Sequence, residues 1–323
     1  MSHTSHTPAR ADLSGYALFF VSSAFMASNV VIGRAAAHVV PPVGLAFWRW
    51  ALAFLIILPF ALPGLLRHRH ALKAAGRRLL VLGALGQGIC GAVVYMGLER
   101  TSATNAGLIY ATSPIMILLI AAATLGEAVR PRQVAGIALA LAGVLAILAR
   151  GDADVLLRLA FNLGDLLVLA GAVAWAVYTV MLRGARTPVP VVPMFAANAL
   201  AGVLVLAPFY AAESLFDRAV APSGEALLRI GGVALFASVL AFTTYQKSIA
   251  LLGPSRAGAA LYVMPLWAAL LAWALLGEAP QLFHLAGAAL VLPGVLLATL
   301  PARPSNGRRW VFGFASTQPT TKP

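Results

Sequence analysis

Charge is what this sequence has least of. Lys, Arg, Asp and Glu make up 10% of its 323 residues, where a soluble domain carries about a quarter. Ten residues are acidic, and none falls in the middle of a long apolar run. The single cysteine, Cys90, excludes an internal disulfide and any cysteine-based metal or iron–sulfur framework. The chain has no Gly-x4-Gly-Lys-Ser/Thr run, so it lacks the loop that cradles ATP phosphates, and it has no His-Glu-x-x-His. No Ser/His/Asp set can be assembled at one depth, and no cofactor is implied. What is abundant is apolar: 61% hydrophobic residues and a mean hydropathy of +0.88, the composition of a multi-span membrane protein. The formal charge of +13 is scattered between apolar runs. It fits loops meeting anionic lipid and lacks the one-sided basic footprint that nucleic acid needs.

The apolar runs predict an all-α protein of ten transmembrane helices, each close to the ~20 residues that cross hydrocarbon. They lie near Tyr16–Gly33, Val43–Leu66, Leu79–Leu98, Ala106–Leu125, Gln133–Ala149, Leu163–Leu182, Val191–Tyr210, Leu227–Ala250, Ala257–Leu276 and Leu282–Leu300. The first is too long for a signal-peptide core and reads as a retained helix. Residues 1–12 and 302–323 are polar tails, the second carrying an amphipathic Arg308-Arg309-Trp310; residues 150–162 link the halves. If residue 1 is cytoplasmic, 15 of the 23 Lys and Arg fall in inside segments and six in outside ones. That bias predicts that both termini are cytoplasmic, and the Ala-, Leu- and Arg-rich composition points to a bacterial inner membrane.

Residues 13–149 and 163–301 also read as two copies of one unit. Between Ala106 and Leu148 about two positions in five recur, without a gap, 151 residues later. Pro114 returns as Pro265, Leu125-Gly126-Glu127 as Leu276-Gly277-Glu278, and Gly136 and Gly143 as Gly287 and Gly294. Five helices per copy is an odd number, so the second copy enters the membrane inverted. Inverted repeats around a central cavity are the architecture of secondary transporters.

The same residues resemble a known family. Ala46-Phe47-Trp48-Arg49-Trp50, Tyr95-x-x-Leu98-x-x-Thr101-Ser102-Ala103-x-x-Ala106, Pro131-Arg132-Gln133, Leu252-Gly253-Pro254-Ser255-Arg256-Ala257 and Tyr262-x-x-Pro265 are similar to the EamA transporters of the drug/metabolite transporter superfamily. The resemblance covers about residues 14 to 301. It implies ten helices around a central cavity, alternating access, and export or exchange of small metabolites such as amino acids or nucleobases. The leading expectation is export of an amino acid or related compound. The alternatives are export of another small organic solute, a polytopic membrane enzyme, or a subunit of a complex that transports nothing itself.

Candidate substrate-binding residues are the polar and aromatic ones at depth. Arg49, two turns inside its helix, reads either as an interface anchor between Trp48 and Trp50 or as a cation for a substrate carboxylate, balanced by Glu99 or Asp165. Lys247 ends the polar run Thr243-Thr244-Tyr245-Gln246-Lys247, which is costly to turn towards lipid. It can line the cavity or snorkel to the cytoplasmic interface. Trp175 and Tyr178 share a helix face, with Asn29 at the equivalent place in the first half. Tyr95, Tyr110 and Tyr262 sit at similar depth, where a hydroxyl needs a partner inside the protein. Asn29 and Asn105 can equally glue helices together. Pro114 and Pro265 are candidate hinges. Gly83, Gly86, Gly88 and Gly91 point to close helix packing. Buried carboxylates are the usual proton carriers in coupled transport, and only Glu99 and Asp165 lie near a span.

Overall fold

The computed structural model describes residues 8–37, 39–101, 103–150, 152–157, 162–184, 189–276 and 281–299. Gly277-Glu278, Arg308-Arg309-Trp310 with the rest of the expected C-terminal tail, residues 1–7 of the expected N-terminal tail and residues 151 and 158–161 of the linker lie outside the described residues. Residues 8–12, expected as tail, already belong to the first helix. Within them the chain is helical, with no strand. Long helices run α1 Pro8–Ala37, α2 Pro42–Arg67, α3 Gly76–Leu98, α4 Asn105–Leu125, α5 Pro131–Leu148, α6 Leu163–Arg183, α7 Val191–Phe216, α8 Gly224–Leu252, α9 Ala260–Leu276 and α10 Leu282–Thr299. Eight of these, α2 to α8 and α10, are long and apolar enough to cross a membrane; α9 is one of the others, with 17 residues.

Glycine determines which helices touch at backbone distance. A Cβ on Gly136 of α5 would lie 2.4 Å from the Ala298 nitrogen and 2.6 Å from the Gly294 oxygen of α10. One on Gly143 would lie 2.7 Å from the Gly287 oxygen. The duplicated glycines therefore meet crosswise, Gly136 with Gly294 and Gly143 with Gly287, and α5 runs antiparallel to α10. α2 and α7 behave alike: Gly44 packs on Glu213 and Tyr210, while Gly64 packs on Pro193. α1 packs along α8 and α9, and α6 correspondingly along α3 and α4. Gly83 of α3 approaches the Ala201–Gly202 backbone of α7, and Gly86 lies under the Tyr178 ring, as close packing at the glycine-rich stretch requires.

Both α3 and α8 widen in the middle into a π-helical stretch, Ala84–Val93 and Val233–Leu240. The α4 rod is broken at Ala111–Thr112, so Pro114 lies in the first turn of its second piece, Ser113–Leu125. The sequence placed this proline mid-helix. At a helix start its missing N–H costs nothing. Pro265, by contrast, lies inside α9. α4 ends on Gly126, at φ +66°, a left-handed cap that glycine adopts without penalty. The next residue, Glu127, accepts a hydrogen bond from the Ser255 hydroxyl and so ties this corner to the second half.

Glu213 near the end of α7 accepts from the backbone nitrogens of Val43 (2.9 Å) and Gly44 (2.6 Å). A carboxylate on two unpaired N–H groups at a helix start is a cap supplied from another helix. Glu213→Ala is expected to lower stability by about 1–2 kcal/mol, read as an earlier thermal transition in detergent. An unchanged transition would mean that the cap contributes nothing.

Candidate functional site

Arg49 is the centre of the best-defined polar site. Its residue is 5% exposed, and four hydrogen bonds spread from the guanidinium to three other helices. Nε donates to Ser238 Oγ at 2.6 Å and Nη2 to the Ala237 carbonyl at 2.7 Å, both in the π stretch of α8. Nη1 donates to the Tyr95 hydroxyl of α3 at 2.8 Å and to Asn29 Oδ1 of α1 at 3.4 Å. Tyr95 in turn donates to Asn29 at 3.1 Å. Every acceptor is neutral.

The carboxylates expected to balance it are occupied elsewhere. Glu99 pairs with Arg218 at 3.1 Å, both exposed. Asp165 is buried, held by the Thr101 hydroxyl, by Asn105 at 3.2 Å and by the Asn162 nitrogen at 2.7 Å. It caps α6 and borders a pocket of about 480 Å³ lined by Ile109, Asn162, Leu163, Leu166 and Leu169. Trp48 and Trp50, expected together in an interfacial belt, part company. Trp48 is exposed and donates to the Tyr210 hydroxyl at 3.0 Å. Trp50 is 1% exposed, with the Arg49 guanidinium carbon 4.9 Å from its ring centroid.

Trp50 connects this node to an aromatic cluster where α2, α6, α7 and α8 meet. Its centroid lies 4.8 Å from Phe242, which is 5.5 Å from Trp175. Trp175 stacks on Tyr245 at 5.3 Å and lies 5.6 Å from Tyr178. Edge and offset contacts of this kind add to the area the rings bury. Beside the rings, Gln246 Nε2 donates to the Tyr178 hydroxyl at 3.0 Å, and the Thr179 and Tyr245 hydroxyls are 3.4 Å apart.

Of the sequence candidates, Arg49, Tyr95 and Asn29 are thus assembled at one point, and Trp175 and Tyr178 join the adjoining cluster. Tyr110 is half-buried, with its hydroxyl beside Gly171 of α6, whose carbonyl accepts from Cys90 at 3.3 Å. Tyr262 is fully buried, and its hydroxyl has no partner among the described residues. Lys247 is exposed although Tyr245 and Gln246 before it are buried, because each helical step turns the side chain by about 100°. Thr243 and Thr244 bond back to carbonyls of their own helix. Ser238 and Thr179 were not singled out in the sequence, and Gln246 was named only within the polar run that ends at Lys247. Ser238 and Thr179 are each one hydroxyl beside apolar neighbours, and only the partner gives them meaning.

The comparisons agree with this architecture. Residues 13–149 and 162–300 each match the EamA-like transporter family. The uncharacterized inner membrane transporter YedA of Escherichia coli (strain K12) is 32% identical over 262 residues, covering 78% of this chain and 79% of that protein. The probable terminal-alkyne amino-acid exporter of Streptantibioticus cattleyicolor is 28% identical, covering 72% and 74%. A solved crystal structure at 24% identity superposes with a TM-score of 0.70 over 90% of this chain and 96% of that one. With two matches that together span most of its length, the chain belongs to the EamA-like transporter family.

Proposed function

We propose that this chain exports or exchanges a small organic carboxylate, an amino acid or a close relative, across the cytoplasmic membrane by alternating access. Its frame is ten spans in two inverted five-helix repeats, residues 13–149 and 163–301, with both termini cytoplasmic. The observation that carries the substrate class is Arg49, a buried cation whose partners are all neutral. Burying an unbalanced charge is costly, and a carboxylate arriving at the guanidinium would balance it with a pair of strong, charge-assisted bonds. The crosswise contacts of Gly136 with Gly294, Gly143 with Gly287, Gly44 with Glu213 and Gly64 with Pro193 support the inverted arrangement. Exchanged contacts of that kind are what a two-fold axis perpendicular to the helices generates. In this frame Arg49 lies in the outer half. Bonded to α1, α3 and α8, it holds that side closed, and a carboxylate that displaces Ser238 and Tyr95 releases the latch. The amino-acid exporter among the relatives favours the same class.

Counterflow into proteoliposomes tests the reading with a panel of radiolabelled amino acids and their amides. At least one acid is expected to accumulate while its amide does not. If no member of the panel moves under any gradient, the proposal fails.

A further inference from the structure

Asn198 of α7 is fully buried, and neither its amide nitrogen nor its amide oxygen has a partner among the described residues. Leaving both unmade in an apolar interior is costly, and no group among the described residues offsets it. Its place in the fold is the second observation. The paired contacts of α2 and α7 fall at an offset of 149 residues: Gly44 corresponds to Pro193 and Gly64 to Glu213. The Pro59-Phe60 pair likewise returns as Pro208-Phe209. That offset carries Arg49 onto Asn198. It also carries Asn29, the α1 partner of Arg49, onto Tyr178 of α6, and Ala237 and Ser238 of α8 correspond to the π stretch of α3.

We propose that Asn198 is the latch residue of the opposite-facing state, unpartnered here because its acceptor and donor are assembled only when the inner half closes as the outer half has closed on Arg49. This rests on the alternating-access reading above and names the residue that performs its second half. Tyr178, the counterpart of Asn29, is held by Gln246, and the side chain of Gln87, in the π stretch of α3, lies against Gly202, one turn from Asn198. On passing to the other state Tyr178 leaves Gln246 and takes the Asn198 amide. An unpartnered amide penalises the state seen here and a bonded one stabilises the other, so the residue biases the equilibrium without touching Arg49.

The test needs no substrate. In full-length protein in nanodiscs, with Cys90→Ser, a cysteine introduced by Ser28→Cys in the outer half of α1 reports opening of that side through its rate of reaction with a hydrophilic maleimide. Asn198→Leu has nearly the same volume and removes the penalty here together with the bonds there. It is expected to slow labelling roughly tenfold and to leave the thermal transition unchanged or higher. Asn198→Gln, which keeps donor and acceptor, should recover part of the rate, and Arg49→Met should accelerate it. A labelling rate unchanged by Asn198→Leu, or a lowered transition at an unchanged rate, overturns the proposal and makes Asn198 a packing residue. Failure of the transport reading is a separate result: wild-type protein would then move no solute, whatever the labelling shows.

Discussion

Replacing Arg49 with Met is expected to abolish transport of a carboxylate while leaving the folded protein nearly as stable as before. Each acceptor of the guanidinium keeps another bond when the guanidinium is removed. Ser238 Oγ still donates to the Val233 carbonyl at 3.1 Å, Tyr95 still donates to Asn29, and the Ala237 carbonyl belongs to a helix. No donor is orphaned, and the cost of burying an unbalanced charge disappears with it. These terms oppose the loss of four charge-assisted bonds, and the net change is expected within about 1 kcal/mol. Transport has no such compensation. Losing the pair with a carboxylate forfeits about 3 kcal/mol, or roughly a hundredfold in binding. Arg49→Lys is expected to recover little, because one ammonium cannot span Ser238, Ala237, Tyr95 and Asn29 together. Counterflow and thermal melting of the same preparations decide the matter. A large loss of stability with transport intact would make Arg49 a structural anchor.

The second large effect concerns the glycine seam between α5 and α10. A Cβ on Gly136 or Gly294 would lie 2.4–2.6 Å from backbone atoms of the facing helix, and backbone cannot rotate aside as a side chain can. Gly136→Val is therefore expected to force the helices apart and cost more than about 3 kcal/mol, leaving little folded protein on gel filtration in detergent. Gly294→Val, at the same contact, should do the same. The milder pair Gly136→Ala and Gly294→Ala should be non-additive, since once the first has opened the seam the second meets more room. Folded yields equal to wild type for Gly136→Val would show that the seam is not tight in the membrane.

Much of the frame was readable before any coordinates, because long apolar runs in a sparsely charged chain have few uses other than helices in lipid. The duplicated glycines were visible as an echo, but not that they meet crosswise, since an echo carries no information about which helices are neighbours. Arg49, Tyr95 and Asn29 could be singled out because polar groups at that depth stand out against Ala and Leu. Their joining at one point could not be read, nor could the neutrality of the socket, which removed Glu99 and Asp165 as its counterions. Lys247 shows the limit of adjacency: it follows the buried Tyr245 and Gln246 in sequence yet is itself exposed, because each helical step turns the side chain. Asn198 was invisible in sequence, one amide in an apolar run, and became conspicuous only because no described residue around it offers a partner.

The wide turns in α3 and α8 store one surplus residue each relative to ordinary helical winding. Passing that residue along the rod turns only the stretch it crosses by about 100° about the helix axis, while both rod ends stay where their neighbours hold them. In α8 the segment beyond the surplus bears Phe242, Tyr245 and Gln246. A slip of one residue there would swing all three away from Trp175 and Tyr178 in a single motion. The glycine-sealed pairs would not need to move, so such a slip would act as a turntable mounted in a fixed chassis.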